Sequence, residues 1–306
     1  MECKIYSYYL TTLIALVLFI SLPACTDLSG DIESDVSVTD FPWPREDYQA
    51  IWGESLANVF VAGSGGTILQ FNGNNWNEME SGTELTIRDL WGVNTLNVFA
   101  VGEGGMILRY NGSEWSEEDL DLTMRLNTVW GSSQSDVFTG AADGSIYHYD
   151  GDQWIEMQTP VTSSINEIWG TSSQNIFAVT TGGSIIHYDG NEWNRISEGH
   201  PPLYSLWGTI DGKTVYATGT GGTLLKYNGE EWETQHLRIA PGLYGIWGSS
   251  ENRIFVTGAN GSLIIYDGEN WIEQRGFTSS HIHIRDVWGA WDKVFVVGGS
   301  GLIREL

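Results

Sequence analysis

Residues 165–197 read INEIWGTSSQNIFAVTTGGSIIHYDGNEWNRIS. Four short β-rich runs (INEIWG, NIFAVT, GSIIHYDG and EWNRIS) are separated by Ser, Gly-Gly and Asp-Gly punctuation. That grammar predicts four antiparallel strands joined by tight turns, here named A to D from the inside outward. Asp189-Gly190 is the sharpest turn signal, because Asn-Gly and Asp-Gly supply the positive φ that a tight hairpin requires. Tyr188 before this turn and Trp193 after it are placed to pair across strands C and D.

The unit repeats. Trp-Gly pairs stand at Trp52, Trp91, Trp130, Trp169, Trp207, Trp247 and Trp288, with spacings of 39, 39, 39, 38, 40 and 41 residues. The C–D turn recurs as Phe71-Asn72-Gly73, Tyr110-Asn111-Gly112, Tyr149-Asp150-Gly151, Tyr227-Asn228-Gly229 and Tyr266-Asp267-Gly268, each with a Trp three residues past the Gly. A self-similar period near forty predicts an all-β, seven-bladed β-propeller with four antiparallel strands per blade. Of the 15 Trp residues, thirteen fall on the two repeated positions. A residue demanded identically by every copy serves packing rather than recognition.

The seventh copy is short. Leu306 aligns with Phe71, the last residue of strand C, so the chain ends where strand D would begin. Trp43 precedes the first Trp-Gly pair as the other strand-D Trp residues precede theirs, and the segment Val36 to Glu46 is expected to complete blade seven as an N-terminal strand closing the ring. Pro42 and Pro44 suit an outer edge, where N–H groups may face solvent.

The motif Tyr-Asp/Asn-Gly-x-x-Trp resembles the Asp-box of BNR/sialidase-like propellers, and residues 47–306 are similar to the WD40/YVTN/BNR-like repeat group. Here Asp and Gly are adjacent, whereas the Asp-box keeps one residue between them, and its opening Ser is missing. The resemblance implies the propeller fold. In those families the box itself is structural and lies away from the active face, so it carries no glycosidase chemistry to these positions.

The N-terminus is of another material. Lys4 is the only base before an apolar run from Tyr9 to Leu22, too short for a comfortable membrane span and fitting a secretory signal. Leu22-Pro23-Ala24-Cys25 resembles a bacterial lipobox, which implies lipidation at Cys25. The chain's two Cys are Cys3 and Cys25, so the domain beyond them uses no disulfide although it would be exported. Residues 1–24 are therefore read as a lipoprotein signal peptide and 25–40 as an acidic flexible tether. Residues 41–306 are read as the propeller, lipid-anchored in a bacterial cell envelope, at the outer membrane or cell surface, and monomeric. With 39 acids against 14 bases, a net charge of −25 disfavours nucleic acid and leaves the lipid anchor as the one membrane contact.

Strand A is expected to line the central channel, and its variable positions are the candidate ligand-binding site. Three residues before each Trp stand Gln49, Arg88, Asn127, Asn166, Tyr204, Tyr244 and Arg285; two before stand Ala50, Asp89, Thr128, Glu167, Ser205, Gly245 and Asp286. Arg forks, amides and aromatic faces at a channel mouth suit a glycan, a peptide or a protein partner. The alternative is that Arg88 and Arg285 merely neutralise Asp89 and Asp286. The D–A loops, Glu198 to Leu203, His236 to Pro241 and Phe277 to Ile284, add variable surface to the same face.

The leading expectation is a recognition module without catalysis. One alternative is a sialidase-like glycan-cleaving enzyme, with Glu167 as its weak acid/base candidate. Another is an assembly or stability factor of the photosystem-stability-propeller type. No cofactor and no metal site is implied. His281 and His283 read as solvated loop residues, and the acidic loops leave room only for a weak Ca2+ site.

Overall fold

The computed structural model describes residues 46–118, 120–237 and 241–306, and is a seven-bladed β-propeller. Six sheets are four-stranded and antiparallel, ordered A-B-C-D; in the first, Tyr48–Ser55, Asn58–Gly63, Ile68–Phe71 and Trp76–Met79 follow one another outward. The seventh sheet has Ile284–Ala290, Lys293–Gly298 and Leu302–Glu305 among the described residues. The closing strand expected around Trp43 and the calls on residues 1–45, Cys25 included, lie outside the described residues.

Strand A of every blade touches strand A of the next, from seven back to one. That arrangement puts the A strands around the axis. The apolar core is divided accordingly into seven clusters, one per seam between blades.

The Trp-Gly pair explains itself at these seams. The indole of each Trp lies on the Gly of the following blade: Trp52 on Gly92, Trp91 on Gly131, Trp130 on Gly170, Trp169 on Gly208, Trp207 on Gly248 and Trp247 on Gly289. Trp288 lies on Gly53 and completes the circle. A methyl group at any of these seven glycines would fall 2.5–2.9 Å from an indole carbon. Only a residue without Cβ admits the ring at that distance.

Outside this contact runs an aromatic ladder. Phe71, Tyr110, Tyr149, Tyr188, Tyr227 and Tyr266 each pair across the C–D hairpin with the Trp five residues on, ring centroids 4.8–5.4 Å apart. The hairpin glycines take φ of 92–98°. The Asn or Asp before each accepts the amides two and three residues ahead, as Asn72 Oδ1 does from Asn74 at 3.0 Å and Asn75 at 2.9 Å. These bonds favour the carboxylate and hold the exposed Asp150, Asp189 and Asp267 below the usual range. The strand-D Trp also meets the strand-B aromatic of the preceding blade, as Trp154 meets Phe99 at 6.4 Å and Trp76 meets Phe295 at 6.4 Å.

Blade seven is tied to blade one by further bonds. The Ser300 amide donates to Asp47 Oδ1 at 2.8 Å, and the Gly301 amide donates to the Glu46 carbonyl at 2.8 Å.

Gly248→Ala should lower unfolding free energy by about 1–3 kcal/mol, as overpacking does, and Trp247→Ala by about 3–5 kcal/mol. Urea titration of the two variants checks this; a neutral Gly248→Ala would mean that the Trp207 contact is slack.

Candidate functional site

The seven residues three before Trp share one backbone device. In each blade the A–B register slips there: Ile87 pairs with Gly102 and Asp89 with Val101, which leaves Arg88 as the extra residue of a β-bulge. The same slip isolates Gln49, Asn127, Asn166, Tyr204, Tyr244 and Arg285. A bulge re-aims a side chain and ends regular pairing. Their sequence variability thus sits where the chain leaves the ladder, at the end of the channel shared with the D–A and B–C loops.

Neighbours then decide which side chains remain available. Asn127 donates its amide to the Ile165 carbonyl at 2.7 Å and to Ser164 Oγ at 2.8 Å, while its Oδ1 accepts from Arg125 Nε at 2.7 Å. Asn166 donates to the Leu203 carbonyl at 2.6 Å. Both amides are spent on the next blade. Gln49 Nε2 makes one long bond, 3.4 Å, to the carbonyl of Asp47 two residues before it.

The charged pairs proposed from adjacency in sequence do not form. Arg88 Nε donates to Glu103 Oε1 in the B–C turn at 3.0 Å. Asp89 turns inward instead, its Oδ1 accepting the Leu90 amide at 2.8 Å and its Oδ2 the Val129 amide of the next blade at 2.7 Å. Asp286 does the same with Val287 at 2.8 Å and Ile51 at 3.0 Å, joining blade seven to blade one. Thr128 Oγ1 accepts the Ile168 amide at 3.1 Å and donates to Glu167 Oε1 at 3.2 Å. Asp89, Asp286 and Thr128 are engaged in this way because bulged backbone leaves amides of the adjoining strand unpaired, and these acceptors satisfy them.

Protein surrounds the three channel carboxylates, although the axial channel reaches each of them. Loss of hydration pushes Asp89 up to about 7, against the pull of its two amides and with added repulsion from Asp286. Asp286 is pushed up to about 6 by the same loss of hydration. Glu167 is raised well above the ordinary carboxylate range, by desolvation first and then by Asp89 and Asp286. The shift favours the protonated carboxyl.

The other side of the mouth is aromatic. The rings of Tyr204 and Tyr244 stand 5.5 Å apart, and the Arg285 guanidinium lies 5.1 Å from the Tyr244 centroid. His283 meets Tyr244 edge-on at 6.0 Å and accepts the Asn260 amide at Nδ1. Thr220 Oγ1 donates to the Tyr204 hydroxyl at 2.9 Å. Arg285 Nε is buried without a hydrogen-bond partner. Arg285 thus belongs with the tyrosines of blades five and six, whereas Arg88 is held separately by Glu103.

Residues 238–240 of the second D–A loop lie outside the described residues. His281 Nδ1 is 3.2 Å from Ser279 Oγ. Among the described residues no three His, Cys, Asp or Glu side chains are grouped to hold a metal ion. Two clefts that sequence reasoning missed, of about 680 and 540 Å³, open between blades four and five and between blades two and three, and no mouth residue lines either.

No family model matches the chain, and no curated protein sequence matches it. Among solved structures, "YCF48 bound to D1 peptide" superposes with a TM-score of 0.70 at 16% identity, covering 86% of this chain and 92% of its own. YCF48 from Cyanidioschyzon merolae gives 0.70 at 14% identity, with 87% and 96% covered. These likenesses establish the propeller fold.

Asp89→Ala should cost about 1–3 kcal/mol by orphaning the Val129 amide, while Asp89→Thr, the residue blade three uses for the same bond, should cost markedly less. Acids raised in the folded state keep protons that the unfolded chain sheds near its ordinary value of about 4. Their contribution is thus fullest below that value and declines as pH rises towards 6–7. Melting temperature should therefore rise from pH 8 to pH 5, on the order of 2–4 °C per kcal/mol recovered. The lowered Asp150, Asp189 and Asp267 oppose this only below the ordinary carboxylate range. Thermal melts across that window in the wild type and Asp89→Thr check the assignment.

Proposed function

We propose that the propeller recognises a polypeptide partner at the channel mouth without catalysing a reaction, in the manner of an assembly or stability factor. The observation that carries this reading is the arc of Tyr204, Tyr244 and Arg285, in which a guanidinium retains an unused donor beside two aromatic faces. Aromatic and Arg side chains dominate binding energy at protein interfaces. A peptide carbonyl or carboxylate offers the acceptor that Arg285 Nε lacks, and an apolar side chain fits against the tyrosines. The solved structure of YCF48 bound to D1 peptide, a propeller of similar fold, is in keeping with this reading rather than with a glycan at the mouth.

The sialidase-like alternative draws less support. Such a site needs a cluster of Arg on the substrate carboxylate. Here Arg88 is engaged by Glu103, and Glu167 stands among Thr128, Asp89 and Asp286 rather than beside a tyrosine.

Lipobox-like residues 22–25 support export and anchoring through Cys25, which would present the domain at a membrane surface of the cell envelope. Cys25→Ser should shift the protein from the membrane fraction to the soluble fraction; identical partitioning rejects the anchor.

Peptides selected on the wild-type chain from a random display library provide the test of the mouth. Arg285→Ala or Tyr244→Ala should weaken the selected peptides by roughly 10- to 100-fold, corresponding to about 1–3 kcal/mol. Arg88→Ala, already paired within the protein, should weaken them less. Selected peptides that bind Arg285→Ala and Tyr244→Ala as well as wild type would reject the mouth as the site.

A further inference from the structure

The turns joining strands A and B stand at the end of the propeller opposite the mouth, inside the C–D hairpins. Their length is all but fixed by the repeat. From the Trp-Gly Trp to the first buried residue of strand B the interval is seven residues in five copies, as from Trp52 to Val59; it is eight from Trp207 to Val215 and six from Trp288 to Val294. In the five regular copies a turn side chain rests on the hairpin glycine of its own blade. Ala57 lies on Gly73, Leu96 on Gly112 and Asn252 on Gly268, where a methyl group would meet them at 2.6–3.2 Å. The two irregular copies give this packing up. Gly229 of blade five has only the Lys213 carbonyl near it, at 3.7 Å. The irregular turns hold the two most exposed large apolar side chains among the described residues, Ile210 at 96% and Trp291 at 85%.

Both turns are built rather than slack. In blade five the Thr209 amide donates to the Thr214 carbonyl at 2.9 Å, the Gly212 amide to the Thr209 carbonyl at 2.8 Å, and Thr209 Oγ1 to Asp211 Oδ1 at 2.6 Å, which fixes the backbone around Ile210. In blade seven Ala290 pairs with Lys293 across Trp291 and Asp292, and Trp291 takes a φ of 58°, a costly conformation for a bulky residue. The turn of blade six joins the two: Thr214 Oγ1 donates to Glu251 Oε1 at 3.5 Å, and Arg253 Nη2 to the Asp292 carbonyl at 3.4 Å. Around them the field is negative. The six C–D hairpins carry no Lys or Arg, and those of blades two to six each carry at least one acid. The bases of the three turns are engaged within the protein: Lys293 with Glu305 at 2.6 Å, Lys213 with Asp211 at 3.8 Å, and Arg253 over the Phe255 ring at 5.6 Å.

We propose that this face, independently of the channel mouth, docks a basic polypeptide segment on Ile210 and Trp291. Both apolar groups are preset in water, so a partner gains their burial without ordering a loop. The exposed indole face suits a guanidinium or ammonium group of that partner as well as its apolar side chains. Charge selects this occupant. A second copy of the chain would bring its own net charge of −25 and the same acidic hairpins, and those hairpins repel an anionic lipid surface. A segment bearing Lys or Arg beside apolar residues meets both the anchors and the acids around them.

The test follows the Trp291 indole N–H by 1H–15N NMR in the full chain, with the signal assigned by its loss in Trp291→Phe. The probes are short peptides of alternating Lys and Leu or Arg and Phe, with all-Lys and alternating Glu-Leu peptides as controls. The basic apolar peptides should move the signal saturably, less so as salt is raised, and the controls should not. Ile210→Ser and Trp291→Ser, followed by calorimetry, should each weaken binding roughly tenfold. Ile155→Ser, at an exposed apolar residue of an outer strand, should leave it unchanged. Peptides selected at the mouth should bind Trp291→Ser as they bind wild type. Silence to every basic probe, equal shifts by either control, or undiminished binding in both Ser variants would overturn the proposal. So would a Trp291 signal moved instead by phosphatidylglycerol vesicles or by raising the protein concentration.

Discussion

The contact on which the rest of the molecule depends is an indole ring seated on the next blade's glycine. It needs two residue types at once, a large flat side chain and a position without Cβ, and the Trp-Gly dipeptide supplies both to the two neighbours of every blade. Because Trp288 lies on Gly53 as Trp52 lies on Gly92, the circle closes through the innermost strands alone. A repeat protein that stacked in a line would leave one Trp without a glycine and one glycine without a Trp. The ring leaves neither.

That constraint explains how unevenly the sequence could be read. The seven blades, the strand order and the C–D pairing of Tyr110 with Trp115 follow from periodicity and turn chemistry, since they are local. The partner of each glycine is about forty residues away and is invisible to any local rule. The positions three before Trp stand out in the sequence as variable. Their bulged geometry, however, depends on register with strand B. The roles of Asp89, Thr128 and Asp286 had a signal that went unused: each carries an acceptor at the same repeat position. Adjacent residues of opposite charge suggested pairs such as Arg88 with Asp89, but successive side chains on a strand point apart, and Arg88 finds Glu103 across the bulge instead.

The same bulge sorts the candidate site into two kinds of residue. Amides and carboxylates that reach the next blade, Asn127, Asn166, Asp89 and Asp286, are consumed in holding seams together. Longer side chains of blades five to seven extend past the seam and meet one another above it, which is why Tyr204, Tyr244 and Arg285 converge. At the corresponding -2 positions of blades one, five and six stand Ala50, Ser205 and Gly245, so charge in the channel is gathered on blades two, four and seven. Three acids share one poorly hydrated passage; burial raises all three, and repulsion adds to the rise at Asp89 and Glu167.

Repetition also provides its own test of function. Where seven copies solve one packing problem, a residue that solves it alike everywhere reports the fold, and a copy that abandons the solution must offset the loss. Blade four inserts Ile196 as a bulge in strand D, so Ser197 stands where other copies place Glu118 or a packed methionine. Blade five lengthens the adjoining turn at the same seam. Buried indole N–H groups without a partner recur at Trp115, Trp193 and Trp232, so they belong to the repeat, whereas Trp154 donates to Glu118. The mouth is thus recognised by departure from a repeat that the indole–glycine contact otherwise enforces.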